Sequence, residues 1–125
     1  MPTNILVVDD ERAILFAMRE YLAAYGFDVD CAPDRQEAEA LLTDHTYAVL
    51  ITDLRLAGVG DTDGLDIAAY ALKRNPAIRS ILLTAYGTPE IERAARALGI
   101  DVCLSKPRPL DEIVETVSKL LEDTA

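Results

Sequence analysis

The sequence has no apolar run approaching the roughly 20 residues of a membrane-spanning helix, which excludes one as its organising feature. Its first residues, Met1-Pro2-Thr3-Asn4, bring neither a basic stretch nor a cleavage signal before the first apolar run. A soluble, cytoplasmic protein with no membrane partner is therefore expected. Basic residues are scarce: 12 Lys and Arg face 22 Asp and Glu, a formal net charge of −10. Direct nucleic-acid binding depends on cations that neutralise phosphates, so this balance argues against it but leaves a basic protein partner open. Cysteine is limited to Cys31 and Cys103, without metal-ligand spacing, and each reads as a small buried hydrophobe within an apolar run. Histidine occurs once. His45 falls near the end of the second helical pattern, where an imidazole can favourably meet the carbonyl end of a helix, and a phosphohistidine relay is not read there.

What is present fits one domain over residues 1–125, a length that buries roughly two-thirds of the extended-chain surface. Half of the residues are hydrophobic. Five short apolar runs, at 5–8, 29–32, 48–52, 81–84 and 102–104, alternate with helical patterns. Most runs are continuous and rich in Val, Ile and Leu, as in strands covered on both faces of a parallel sheet. The helices carry their own punctuation. Asp34 with Glu37 matches a capping box, Asn75-Pro76 ends the third helix, and Thr88-Pro89 opens the fourth, which Gly99 closes. Leu110, Ile113, Val114, Val117, Leu120 and Leu121 form one stripe on the last helix. That helix ends about where the chain does, so no output domain is expected within these 125 residues. Strand–helix alternation repeated five times predicts an α/β fold, a doubly wound (βα)5 sandwich with right-handed crossovers.

In such sheets ligands bind beyond the carboxyl ends of the strands. Here those ends hold Asp9-Asp10-Glu11, Asp53, Thr84-Ala85 and Ser105-Lys106-Pro107. Each alone has an ordinary explanation as turn former, cap or solvated side chain. Their coincidence at four of five strand ends carries the functional reading. The segments ILVVDDE (5–11), LITDL (50–54), DGL (63–65), LLTA (82–85) and LSKP (104–107) together resemble the response-regulator receiver family of two-component systems, over essentially the whole chain.

The resemblance implies a five-stranded parallel sheet of order 2-1-3-4-5, flavodoxin-like and CheY-like, an order that the sequence pattern does not itself supply. Given it, strands about 4.8 Å apart put the first-strand acids and Thr84 on either side of Asp53. Lys106 starts about 10 Å away, much of which its four-carbon stem covers. Cys31 and Cys103 fall about 19 Å apart on opposite edges, well beyond the roughly 7 Å between Cα atoms that a disulfide tolerates.

Carboxylates about 4 Å apart repel by roughly 4 kcal/mol at an effective dielectric of 20. A divalent cation removes that conflict, and an all-oxygen site suits Mg²⁺, or Mn²⁺, better than Zn²⁺. The resemblance implies that Asp10 and Asp53 ligate the metal directly, Asp9 mainly through water, and Arg55 through its backbone carbonyl. It further implies that Asp53 accepts the phosphoryl group, that Lys106 and Thr84 take phosphoryl oxygens, and that Ala85 leaves room beside them. A cis peptide between Lys106 and Pro107 would aim the ammonium over Asp53. The donor it implies is a histidine kinase, a histidine phosphotransfer protein or a small acyl phosphate. The domain would be a signalling acceptor, not an enzyme, assisting its own phosphorylation and dephosphorylation and switching a surface for a downstream protein or a homodimer through its α4-β5-α5 face.

Three other readings share the scaffold. In a flavodoxin-like cofactor binder, Asp9-Asp10-Glu11 would repel a bare phosphate. An aspartyl-phosphate hydrolase would place Asp-x-Asp after the first strand. A docking module that is never phosphorylated remains the serious rival.

Three departures from the family pattern stand out. The loop at 54–63 is about three residues longer than the common form, with Gly58 and Gly60 adding flexibility. Leu56-Ala57 replaces the usual Met-Pro. Cys103 stands at the aromatic switch position, so the switch residues expected are Thr84, Cys103 and, as substitute aromatic, Tyr86. Tyr21 and Tyr25 read as packing, and Arg93 and Arg96 as a solvated face open to a partner.

Overall fold

The computed structural model describes residues 3–56 and 62–122. Five strands, β1 (Asn4–Val8), β2 (Asp28–Ala32), β3 (Val49–Thr52), β4 (Arg79–Thr84) and β5 (Val102–Ser105), form one parallel sheet of order β2-β1-β3-β4-β5. Helices α1 (Arg12–Ala24), α2 (Arg35–Asp44), α3 (Asp63–Arg74), α4 (Pro89–Leu98) and α5 (Leu110–Glu122) connect or follow them. The expected class and order are both present. Ala57, Gly58 and Gly60, which the sequence singled out in the long loop, lie outside the described residues.

Strand periodicity divides the interior into two layers. Ile5, Val7, Val49, Ile51, Ile81 and Leu83 pack with Leu15, Met18 and Leu22 of α1 and with Ile113, Val117 and Leu120 of α5. Leu6, Val8, Leu50 and Leu82 point the other way, toward Leu42, Ile67, Ala71 and Ala95 of α2, α3 and α4. Each fully buried Leu or Ile contributes about 1.5–3 kcal/mol relative to exposure. The central strands are buried on both faces, as their unbroken apolar runs predicted. The two edge strands differ. β2 alternates exposed and half-buried positions, and β5 is half-buried, because each lacks a neighbour on one side. For the same reason Cys31 and Cys103 are half-buried thiols, not fully buried as expected, and both are free.

The caps formed where expected. Asp34 accepts from the Glu37 N–H at 2.9 Å and Thr88 from the Ile91 N–H at 3.2 Å, with Pro89 following. Gly99 ends α4 at φ +100°, a left-handed conformation that glycine adopts without strain. His45 caps the end of α2, its ring edge-on to Tyr47. Tyr21 and Tyr25 pack ring to ring at 5.4 Å. No described helix is long and apolar enough to cross a membrane.

Candidate functional site

Sheet rungs, more than loop conformation, position the residues at the carboxyl ends. The Asp9 N–H donates to Ala32 O, the Asp53 N–H to Val8 O, and the Lys106 N–H to Thr84 O, at 3.0–3.2 Å. Each ladder thus runs one residue past its strand and fixes the backbone from which a functional side chain projects.

Asp9, Asp10 and Asp53 each present a carboxylate oxygen within 4.8 Å of the other two. Asp9 and Asp53 are buried and Asp10 is exposed. The Lys106 ammonium lies between the two buried carboxylates, 2.6 Å from Asp9 Oδ2 and 3.0 Å from Asp53 Oδ2. The Lys106–Pro107 bond is cis, as expected. The reach to Asp53 was anticipated; the shorter contact to Asp9 was not. Asp9 Oδ1 also accepts the Glu11 N–H at 2.9 Å, so both its oxygens are engaged. Burial pushes the Asp9 carboxyl above its usual value, while Lys106 and the Glu11 N–H partly hold it down. Burial alone would lower the Lys106 ammonium, but its hydrogen bonds to Asp9 and Asp53 and their charges together raise it. The lysine is a firmly protonated cation in a cluster of acids. That donor set, three carboxylates with oxygens facing one another and one side open at Asp10, fits a hard divalent cation.

Asp53 is held from two directions. Its Oδ1 accepts the Leu54 N–H at 2.7 Å, and its carbonyl accepts the Thr52 hydroxyl at 2.9 Å. The start of α3 presses on the same peptide. The Gly64 N–H donates to Leu54 O at 2.8 Å, and a Cβ on Gly64 would sit 2.0 Å from the Asp53 carbonyl oxygen. Gly64 was visible in sequence as part of a motif, but its contact with the Asp53 peptide was not.

Thr84 is buried at the end of β4, the neighbour of β3, and its Oγ1 accepts the Tyr86 N–H at 3.1 Å. Ala85 follows it, exposed. Above them Tyr86, half-exposed, lies under the Arg55 guanidinium, whose carbon is 4.1 Å from the ring centroid. Cys103 is set apart. It packs against the α2-α3-α4 layer and lines a depression of about 260 Å³ with Thr84, Thr88, Pro89 and Glu92. On the opposite flank an apolar groove of about 440 Å³, lined by Ile14, Met18, Leu83, Leu110 and Ile113, reaches Ala85 and Lys106.

A 2-1-3-4-5 sheet with an acidic cluster and a half-buried lysine at its carboxyl edge defines the CheY-like class of flavodoxin-like folds. Within it, the chain belongs to the response regulator receiver domain family, whose model matches residues 5–118. Such domains are the phosphoacceptors of two-component phosphorelays and are phosphorylated on aspartate. The chain is 35% identical over 119 residues to the alginate biosynthesis transcriptional regulatory protein AlgB of Pseudomonas aeruginosa, covering 95% of this chain and 26% of that one. Its fold matches a response regulator receiver domain protein (CheY-like) from Methanospirillum hungatei JF-1 with a TM-score of 0.93 and 25% identity, over 99% and 97% of the two chains. A Burkholderia pseudomallei response regulator, described with a phosphorylated aspartic acid, a calcium ion and citrate, shares the fold with a TM-score of 0.83 at 24% identity, over 98% of this chain and 73% of that one. The chain spans between about a quarter and about half the length of the curated relatives it matches.

Proposed function

We propose that this receiver domain accepts a phosphoryl group on Asp53 in a reaction supported by Mg²⁺, or Mn²⁺, at Asp9, Asp10 and Asp53. The observation that carries this reading is the convergence of those three carboxylates and the Lys106 ammonium on one set of adjacent strand ends. Asp10, Asp53 and the Arg55 carbonyl would hold the cation, with Asp9 contributing through water, and the cation would supply charge neutralisation for the incoming phosphoryl oxygens. Asp53 supplies the nucleophilic carboxylate oxygen, kept aimed by the Leu54 N–H. Lys106, already at Asp53 Oδ2, receives one phosphoryl oxygen. The Thr84 hydroxyl, whose oxygen accepts from Tyr86, keeps its proton to donate to another, and Ala85 leaves space beside it. Catalysis of this kind is mostly positioning and charge neutralisation.

The donor is a histidine kinase, a histidine phosphotransfer protein or a small acyl phosphate. A protein donor must bring its phosphohistidine to Asp53. The apolar groove between α1 and α5 that reaches Lys106 is the surface that supports its docking. The signal leaves through residues 84–89 to the α4-β5-α5 face, where Arg93, Arg96 and Leu98 are exposed, toward a downstream protein or a second copy.

Acetyl phosphate with Mg²⁺ tests the reading by intact mass. One added phosphoryl group is expected on the wild type and none on Asp53→Asn. Equal labelling of the variant would refute the assignment, and an unlabelled wild type would leave a docking scaffold.

A further inference from the structure

Most of the 12 Lys and Arg are engaged within the fold. Ion pairs hold Arg35, Arg79, Arg93, Lys106, Arg108 and Lys119. Arg74 donates to carbonyls in the last turn of α2, and Arg55 stacks on Tyr86. Arg12 and Arg19 differ. Both are exposed on α1, and among the described residues neither stands in an ion pair. Arg19 reaches the Cys31 thiol, which burial keeps in its neutral form, so the guanidinium charge stays uncompensated. The two arginines are two helical turns apart, about 10.5 Å along the axis. Phe16 stands between them on the same side and, at 68%, is the most exposed large hydrophobic side chain described. A lone exposed Phe would be ordinary. Its setting is not: the three residues line one depression of about 350 Å³ over the β2 edge of the sheet, with Leu15, Cys31 and Pro33 beneath.

This flank is separate from the apolar groove proposed for the donor. That groove takes Ile14, Ala17 and Met18 from α1, whereas the depression takes Arg12, Leu15, Phe16 and Arg19. At about 100° per residue the two sets fall on nearly opposite sides of the helix. We propose that Arg12, Phe16 and Arg19 form a second docking surface, for an acidic amphipathic helix of a partner protein. Charge complementarity selects this occupant. The partner's acids stand about two turns apart to meet both guanidiniums, and an apolar side chain between them covers Phe16 and enters the depression. Glu37 on the far wall sets the other limit. It repels a segment that is acidic all round, so the acids of the partner lie along one side only. Nucleic acid, with phosphates along its whole length, is disfavoured by Glu37 and by the net charge of −10. An aromatic and two arginines are the residue types that dominate interface energetics, and local charge matching adds rate and selectivity.

The probe is a synthetic helical peptide of about four turns, with two glutamates seven residues apart bracketing a leucine. Fluorescence anisotropy with the full chain should show saturable binding that weakens as salt rises. Phe16→Ala should weaken it about tenfold, and Arg12→Ala and Arg19→Ala about two- to fivefold each. Arg19→Lys keeps the charge and should stay near wild type. Arg19→Glu should lose the peptide and recover it when one glutamate of the peptide becomes lysine, a rescue that a damaged fold cannot produce. Ala17→Asp, in the groove on the other side of α1, should leave binding unchanged. Asp53→Asn should bind like wild type, so the surface stands or falls apart from the acceptor assignment. No saturable binding, equal binding of a peptide with lysine at both glutamate positions, or loss through Ala17→Asp but not Phe16→Ala would each overturn the proposal. So would a single-stranded oligonucleotide that binds more tightly than the peptide and is lost in Phe16→Ala, which would reassign the face to nucleic acid. A wild type that sediments as a dimer, with Phe16→Ala a monomer, would overturn it in favour of a second copy of this chain.

Discussion

Replacing Gly64 by alanine sets two effects of opposite sign against each other. Gly64 occupies the first turn of α3, where alanine is intrinsically the better helix former by about 1 kcal/mol. Against that gain stands the approach to the Asp53 peptide. The new methyl would begin 2.0 Å from Asp53 O and 2.8 Å from both Asp53 C and Leu54 Cα. Those atoms are backbone, fixed by the Asp53 N–H bond to Val8 and the Thr52 hydroxyl, so no flexible side chain can yield. Opening the gap beyond 3.0 Å pulls α3 away and stretches the 2.8 Å bond from the Gly64 N–H to Leu54 O. Overpacking of this kind costs about 1–3 kcal/mol, and a buried donor left without its partner costs about 1–3 kcal/mol more. The net loss is about 1–5 kcal/mol, a large share of the 5–15 kcal/mol typical of a domain. Urea unfolding should show the midpoint lowered by about 0.5–2.5 M with an unchanged slope. Labelling by acetyl phosphate should also slow, because the displaced peptide carries Asp53. A midpoint equal to or above that of the wild type would show that helix propensity wins and that the close approach relaxes without cost.

Other outcomes follow from the same geometry. Asp10→Asn should weaken Mg²⁺ binding more than Asp9→Asn, because Asp10 faces the open side while both Asp9 oxygens already have donors; a titration giving equal affinities for both variants and the wild type would remove the metal site. The Tyr47 phenol is pushed well above its usual range by burial, then by its 2.6 Å hydrogen bond to Asp30 and the charge of that residue. Above about pH 10 the unfolded chain releases that proton first, so stability falls as pH rises. Tyr47→Phe should flatten this alkaline limb in urea midpoints taken at successive pH values, and an unchanged slope would show that other groups set it. Thr88→Ala removes the cap on the Ile91 N–H and should cost about 0.5–2 kcal/mol, seen as faster amide exchange through the first turn of α4.

Sequence legibility tracked burial. The runs at 5–8 and 81–84 could be read as strands because both faces are covered and nearly every position is apolar. β4 begins two residues before its apolar run, at Arg79 and Ser80, because the Arg79 N–H bonds to Ala48 O regardless of its polar side chain. The caps at Asp34, Thr88 and Gly99 were legible because their chemistry is local. The strand order was not: it records which distant segments pair, and it came from the family resemblance. The acid–lysine site was legible in its members but not in its contacts. Lys106 and Asp9 are 97 residues apart, and only the assembled sheet shows the ammonium meeting both acids. The Arg55–Tyr86 stack was hidden for a similar reason, since it joins two loops that share no pattern in the chain.

The sheet acts as a bulkhead through the hydrophobic interior. Side chains beneath α1 and α5 form one compartment and those beneath α2, α3 and α4 another, with the strand backbones between them. A volume change in one compartment is absorbed among its own neighbours, and substitutions on opposite sides should combine nearly additively. The carboxylates and the lysine belong to neither compartment, since they project from the rim that both share. Substitutions can therefore accumulate in one compartment with little disturbance of the other, while the rim that carries the acid–lysine cluster stays as it was.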